Sequence, residues 1–267
     1  MTSIIQFADI HFGVEDKDAM RAVAKTIALL EPDVTLICGD ITQTGSQEEF
    51  DAAREWIKTL EGPLLITPGN HDTPMFGLLH RIFVPFRRYE KTIAPLGQPY
   101  YADENVTIMP LNTSRGWQFK LDWSLGVVDL VKLSRLITDL KEKNDGTLKF
   151  IIAHHPFIYP PRSPLQKATK NGASALARLS EYNIDGVLSG HVHAPFVLER
   201  QPDDTEIMSI GAGTLSTRRR DKPAGFNHIY IDQEIIRVTP IDWENGAFTQ
   251  RAPVEKRTAE LKSRRPS

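Results

Sequence analysis

Apolar positions along the chain switch between short continuous runs and helical spacing. Residues 3–8 (SIIQFA) form an apolar run that stops at a polar tip, which predicts a first strand. Residues 16–30 carry Met20, Val23, Ala24, Ile27 and Leu30 at helical intervals and end at Pro32, which predicts a helix and its stop. Residues 34–38 (VTLIC) are β-rich and polar only at Thr35, so a buried strand is expected. Ser46 followed by Glu49 is a capping box, opening a helix with Phe50, Ala53, Trp56, Ile57 and Leu60 on one face. Residues 64–67 read as a third strand, stopped by Pro68 and Gly69.

The rhythm loosens over residues 73–98, a proline-interrupted stretch that reads as a helical insertion. Phe76, Leu78, Leu79, Ile82, Phe83, Val84 and Phe86 make it apolar, and Arg81, Arg87 and Arg88 make it basic. Residues 100–101 and 106–111 look like paired strands. Residues 127–143 return to helical spacing at Val128, Val131, Leu133, Leu136, Ile137 and Leu140. A strand at 148–153, a helix near 174–182 and a strand at 186–188 continue the alternation. After His193 the signal is strands alone, at 196–198, 206–210, 227–231 and 235–241. A β-α-β half followed by consecutive strands suggests two sheets packed together with helices outside. An open doubly wound sheet fits the same pattern.

Composition narrows the class. The 267 residues are 40% hydrophobic and 25% charged, which excludes a disordered chain. No stretch approaches the roughly 18 apolar residues of a membrane span. The single cysteine, Cys38, forms no internal disulfide, and the N-terminus lacks a basic leader region, so a cytoplasmic protein is expected. The net charge of −2 argues against binding long nucleic acid. Residues 251–267 hold six basic and two acidic residues, a net +4, leaving −6 for residues 1–250. The expected organisation is one domain over 1–242 and a basic C-terminal extension over 243–267. That extension is read as solvated, or as touching an anionic membrane surface or another subunit of a homo-oligomer.

Metal-type residues cluster just past the ends of the expected strands. They are Asp9 and His11, Asp40, then Asn70-His71-Asp72, His154-His155, and His191 with His193. Six of the eight histidines fall in these five places, too concentrated for surface scatter. Ligands gather beyond the carboxyl ends of strands in α/β sheets. In Asp9-x-His11 and His191-x-His193, residues two apart in extended chain point the same way and can reach one ion. The donors are nitrogen and oxygen without thiolate, which suits Mn, Fe, Zn, Co or Ni. There are too many for one ion, and two ions about 3.5–4 Å apart with one shared carboxylate would absorb them.

The ordered series D-x-H, G-D, G-N-H-D, H-H-P and G-H-x-H, from Asp9 to His193, resembles the calcineurin-like metallophosphoesterase superfamily. The resemblance implies an α/β fold, a four-layer αββα sandwich of two mixed β-sheets flanked by helices. It implies two divalent ions, Mn or Fe favoured over Zn or Co. The first would be held by Asp9, His11, Asp40 and His193, the second by Asp40, Asn70, His154 and His191. His71 would act catalytically beside the ions, with Asp72 orienting it. The implied chemistry is phosphodiester hydrolysis by a metal-bridging hydroxide, with His71 protonating the leaving oxygen.

Departures narrow the branch. Residues 39–45 (GDITQTG) lack the arginine of the protein phosphatases, and Gln43 stands where no ligating tyrosine is seen, unlike purple acid phosphatases. The Gly-His-x-His ending is similar to small-substrate enzymes, including class III cyclic nucleotide phosphodiesterases and glycerophosphodiesterases. Asn112-Thr113-Ser114-Arg115 and the later segment around Arg218 resemble a bacterial phospholipase C-type branch that removes headgroups from glycerophospholipids. On that basis Asn112, Arg115, His155 and Arg218 are candidate substrate contacts, and residues 73–98 are expected to cover the ions and shape substrate choice. The expected substrate is a small phosphodiester or a phospholipid, met without integral membrane insertion. The contrasting readings are a non-catalytic metal-site scaffold and a structure-specific nuclease, the latter disfavoured by the −6 body.

Overall fold

In the computed structural model, which describes residues 1–118, 122–143, 146–161, 163, 165, 168–198 and 207–262, the first half alternates strands and helices. It runs β1 (Thr2–Phe7), α1 (Lys17–Leu30), β2 (Val34–Cys38), α2 (Gln47–Ile57) and β3 (Leu64–Thr67). Two short helices follow, α3 (Leu78–Phe83) and α4 (Arg87–Thr92), and a 3-10 turn at Ala94–Leu96. The chain continues through β4 (Tyr101–Ala102), β5 (Val106–Pro110), α5 (Leu130–Glu142), β6 (Leu148–Ile152), α6 (Gly172–Glu181) and β7 (Gly186–Ser189). It ends in β8 (Phe196–Leu198), β9 (Met208–Gly211), β10 (Ala224–Ile231), β11 (Ile235–Glu244), β12 (Ala247–Gln250), β13 (Val254–Arg257) and α7 (Thr258–Lys262).

The strands make two mixed sheets. One has the order β12-β11-β10-β1-β2-β3, with β13 also pairing β11. The other has the order β4-β5-β6-β7-β9-β8. β1, β2 and β3 are parallel, as are β5, β6, β7 and β9, so each sheet gathers the carboxyl ends of its central strands along one edge.

Three apolar clusters define four layers. Ile4, Leu36, Ile229 and Val238 of one sheet pack against Ile108, Phe150, Leu188 and Ile210 of the other. The outer face of the first sheet, with Ile5, Phe7 and Ile37, is covered by Val23 and Ile27 of α1 and Phe50 and Ala53 of α2. The outer face of the second, with Ile151 and Val187, is covered by Leu133 and Leu136 of α5 and Leu176 and Leu179 of α6. This is the αββα sandwich, and it excludes an open doubly wound sheet. The capping box forms in full: Ser46 accepts from Glu49 N–H, and the Glu49 carboxylate accepts from Ser46 N–H.

Two expectations change. Residues 243–262 are not a solvated extension. β12 pairs the Ile241–Glu244 end of β11, and β13 pairs its Ile235–Val238 end. Leu261 is buried in the cluster between the sheets. The boundary expected at 242 therefore falls inside β11; residues 263–267 of the basic tail lie outside the described residues. The 73–98 insertion also splits. Tyr89 and Ile93 are buried against the first sheet, and Tyr89 donates to Ile66 O at 3.1 Å. Met75, Phe76, Leu78, Leu79, Phe83 and Val84 instead face outward, exposed.

A polar clamp ties the sheets together just before the site. Gln6 of β1 donates to Ser189 O (3.0 Å) and Ile210 O (3.2 Å) of the opposite sheet, and accepts from Asn227 Nδ2 (3.0 Å). Buried polar groups at a sheet–sheet seam are tolerated only with partners, and these fix one registration of the two layers.

Candidate metal centre

Seven side chains from five loops converge at the common edge of the sheets. Asp9 and His11 follow β1, Asp40 follows β2, Asn70 follows β3, His154 follows β6, and His191 and His193 follow β7. All seven are buried. The loops are tightly wound: Asp9, His11, Asp40, His191 and His193 all adopt left-handed φ, five of the ten described non-glycine residues that do so. Such backbone is uncommon outside glycine, although Asp and His adopt it more readily than most, and its concentration here marks a functional constraint. Gly69 is required by close approach, since a Cβ there would fall 2.1 Å from Asp40 Oδ1.

Each carboxylate is held by a backbone N–H at one oxygen and faces imidazole nitrogens with the other. Asp9 Oδ2 accepts from His191 N–H at 2.7 Å, and Asp40 Oδ1 accepts from His71 N–H at 2.8 Å. Asp9 Oδ1 is buried without a hydrogen bond, although His193 Nε2 lies 3.2 Å away. Asp40 Oδ2 lies 3.3 Å from His154 Nε2 and 3.9 Å from His11 Nε2, so it belongs to both halves of the cluster.

Three imidazoles are oriented from behind. Nδ1 of His154 donates to Cys38 O (2.9 Å), Nδ1 of His193 to Arg218 O (2.7 Å) and Nδ1 of His11 to Thr42 O (3.3 Å). Each Nε2 is thereby turned inward as a donor of electrons. His11 Nε2 and His193 Nε2 stand 3.3 Å apart, as do His154 Nε2 and His191 Nδ1 at 3.2 Å, and Asn70 Oδ1 is 3.2 Å from His154 Nε2. Lone pairs facing each other at these distances call for a cation or a proton between them.

Charge follows the same logic. Burial pushes the Asp40 and Asp9 carboxyls up, but the surrounding imidazoles outweigh it and hold both below the usual carboxylate range. Burial depresses His11 to about 3 and His191 well below its usual value. For His154 burial also acts downward, but Asp40 overrides it and raises the group to about 9. His193 is raised in the same way by Asp9.

The orphaned Asp9 Oδ1, the shared Asp40 Oδ2 and the nitrogen–oxygen donor set fit a pair of divalent ions. Asp9, His11, Asp40 and His193 place ligand atoms within 4.8 Å of one another and form one group. Nitrogens of His154, His155 and His191 lie equally close. His155, however, spends Nδ1 on Thr113 Oγ1 (3.0 Å) and Nε2 on Ser124 O (2.9 Å). The second group is therefore better drawn as Asp40, Asn70, His154 and His191.

The remaining expected residues divide. His71 lies against the cluster, its ring centroid 4.8 Å from that of His11. Its Nδ1 donates to Gln43 O at 2.6 Å, and its Nε2 accepts from Arg218 Nη1 at 3.0 Å. Arg218 Nη1 also reaches Gln43 Oε1 at 3.1 Å, so Arg218 is brought to the site. Asp72 is not the orienting group for His71. Its carboxylate accepts from Thr42 N–H (2.8 Å), Thr42 Oγ1 (2.8 Å), Gly69 N–H (2.8 Å) and Ile41 N–H (3.2 Å), lacing two ligand loops together. Burial and the neighbouring Asp40 push it up to about 6.

Three expected substrate contacts make bonds to other groups. His155 is fully engaged, as above. Arg115 pairs with Asp129, the N-cap of α5, at 3.4 Å, and Asn112 accepts from Ser114 N–H at 2.8 Å to brace its own loop. Residues missed by sequence reasoning are Gln43, which orients His71 and Arg218, and Tyr159, whose ring is 6.2 Å from that of His191. Gln43 lies inside the G-D segment, so its place was visible. Tyr159 had no signal, because loop folding alone brings it in.

The family model described as calcineurin-like phosphoesterase matches residues 2–195. A relative from Vesicomyosocius okutanii subsp. Calyptogena okutanii, named "Probable cyclic nucleotide phosphodiesterase", is 34% identical over 85% of this chain and 92% of its own. A Synechococcus relative of the same name is 23% identical over 90% of this chain and 92% of its own. A dimetal phosphatase from Danio rerio shares the fold at a TM-score of 0.67 and 11% identity, covering 95% of this chain and 98% of its own.

Proposed function

The chain belongs to the calcineurin-like phosphoesterase family and is a metal-dependent phosphoesterase, and from that premise we propose that it hydrolyses small phosphodiesters of the cyclic-nucleotide class. The observation that carries a two-ion reading is Asp40, whose Oδ2 lies among the ligand atoms of both groups while Oδ1 is tied to His71 N–H. Asp9, His11, Asp40 and His193 would hold one ion, and Asp40, Asn70, His154 and His191 the other, their nitrogen and oxygen donors suiting Mn, Fe, Zn or Co. When bound, the ion pair supplies Lewis-acid activation of water and neutralises charge on the phosphoryl oxygens.

The protein's own groups do the rest. Water oxygen bonds to phosphorus, the bond from phosphorus to the leaving alkoxide breaks, and that oxygen takes a proton. Nε2 of His71, which accepts from Arg218 in the structure, is placed to relay to that oxygen a proton taken up from water once Arg218 has turned to substrate, its ring fixed by the Gln43 carbonyl. Arg218 Nη1, beside it, is placed to give a charge-assisted hydrogen bond to a phosphoryl oxygen once substrate takes over its bond to His71. The relatives' names favour a cyclic nucleotide over a phospholipid headgroup. No helix among the described residues is long and apolar enough to cross a membrane, and the lone, buried Cys38 thiol suits a reducing cytoplasm.

The test compares purified protein, supplied with Mn, Fe, Zn or Co, on bis(p-nitrophenyl) phosphate and p-nitrophenyl phosphate, then on cyclic AMP and phosphatidylcholine vesicles. Preference for the diester and for cyclic AMP supports the reading. Headgroup release from the vesicles with cyclic AMP untouched replaces it with the phospholipase C-type activity, and no turnover of any substrate favours a scaffold.

A further inference from the structure

We propose that the exposed knob formed by α3 and its flanks, residues 75–91, docks the protein onto an anionic lipid surface. Met75, Phe76, Leu78, Leu79, Phe83 and Val84 stand between 38% and 79% exposed, and they make up six of the eleven large exposed apolar residues in the described structure. Scattered exposed apolar side chains need no explanation, but six within ten residues concentrate exposed apolar surface in one segment.

The surroundings select the partner. His80, Arg87, Arg88 and Lys91 line a recess of about 220 Å³ beside the apolar knob. Among the described residues no carboxylate pairs with Arg87 or Lys91. Within residues 75–91 the only acidic residue is Glu90, although residues 1–250 as a whole carry −6. An apolar prominence with a cationic collar on an otherwise acidic body is complementary to acyl chains beneath negative headgroups. A second copy of the chain fits it poorly. A two-fold self-interface would set the same patch against itself and bring two cationic collars together.

The knob is a rigid mount rather than a loose tip. Arg81 donates to Pro74 O (3.1 Å) and Gly116 O (3.0 Å), and its guanidinium lies 5.0 Å from the Trp123 ring. Met75 N–H donates to Thr44 O (2.8 Å), and Arg88 donates to Gly45 O (2.6 Å). Both acceptors lie four and five residues after Asp40 in the chain, so the knob is tied to the segment that leaves a ligand loop. The ordering cost is met on folding, which leaves the apolar burial available for binding.

The full chain is sedimented with vesicles of phosphatidylcholine alone, and of phosphatidylcholine with about 30% phosphatidylglycerol, at low salt and at 0.5 M NaCl. Binding to the anionic vesicles about tenfold or more tighter than to the neutral ones is expected, with weakening by salt. The variant Phe76→Ser/Leu79→Ser/Phe83→Ser should lose that binding about tenfold or more, and Arg87→Gln/Lys91→Gln should lose the preference for anionic lipid. Turnover of bis(p-nitrophenyl) phosphate by the triple variant should stay within about twofold. Failure of the wild-type chain to bind anionic vesicles, or vesicle binding unchanged by the triple substitution, would overturn the proposal. So would a wild-type dimer in sedimentation velocity that the triple variant converts to monomer, or a triple variant that binds vesicles but loses diester turnover. Vesicle binding needs no catalysis, so a chain that docks without hydrolysing any diester would count against the catalytic reading alone.

Discussion

The backbone N–H of His191 donates to Asp9 Oδ2 across 2.7 Å, joining the loop after β7 in one sheet to the loop after β1 in the other. The bond leaves Asp9 Oδ1 buried without a hydrogen bond, 3.2 Å from His193 Nε2. One contact therefore both fastens the two layers and prepares a ligand.

Asp40→Ala removes the one carboxylate common to both ligand groups. The variant should retain neither ion at full occupancy, by elemental analysis after dialysis, and should lose about a thousandfold or more in diester turnover. Asp9→Ala should mainly deplete the group containing His11 and His193. Equal ion content in wild type and Asp40→Ala would refute a shared ligand.

Arg218→Ala deletes the guanidinium that faces His71 Nε2 and Gln43 Oε1. A fall in kcat/KM of about 10–100-fold is expected, with ion content unchanged because His193 is held by the Arg218 backbone carbonyl and not its side chain. Arg218→Lys should recover part of the loss as a point charge without the planar fork.

Leu261→Ala probes the closing segment. Its side chain is buried among residues of both sheets, so truncation should destabilise by about 2–5 kcal/mol in urea titration at unchanged m-value. A change within about 0.5 kcal/mol would mean that α7 is a surface ornament.

Asp103 sets an acid sensitivity outside the centre. Burial pushes its carboxyl up, but hydrogen bonds from Thr2 Oγ1 (2.6 Å), Tyr101 OH (3.0 Å), Asn105 N–H (2.8 Å) and Val106 N–H (2.9 Å) outweigh it, so the net shift is downward. A carboxyl lowered on folding contributes stability that is complete above its unfolded value near about 4, and that is lost as pH falls through the folded value. Melting temperatures between pH 6 and pH 3 should therefore drop less steeply in Asp103→Asn than in wild type, from a lower starting point.

Much of the candidate centre was legible because its converging side chains sit at strand ends in short sequence units. Asp9-x-His11 and His191-x-His193 declare themselves by spacing, and the two-sheet reading followed from the change of rhythm after His193. Roles set across the fold were not legible. Asp72 was assigned to its neighbour His71, yet it serves Thr42, thirty residues away. His155 follows a ligand directly but points to Thr113 and Ser124. The closing strand β13 was hidden by its charge: Val254-Glu255-Lys256-Arg257 looks like solvated tail until β11 pairs with it and buries the Lys256 stem. Left-handed backbone at Asp9, His11, Asp40, His191 and His193 carries no glycine to announce it.

Each ligand group draws on both layers of the sandwich, with Asp9, His11, Asp40 and Asn70 from one and His154, His191 and His193 from the other. No stretch of chain shorter than that from Asp9 to His193 owns a working centre. During synthesis the nascent polypeptide is consequently inert toward cellular phosphodiesters until about three-quarters of it has emerged and the second layer has docked. A proteolytic nick between Asp72 and His154, followed by separation of the pieces, silences it again.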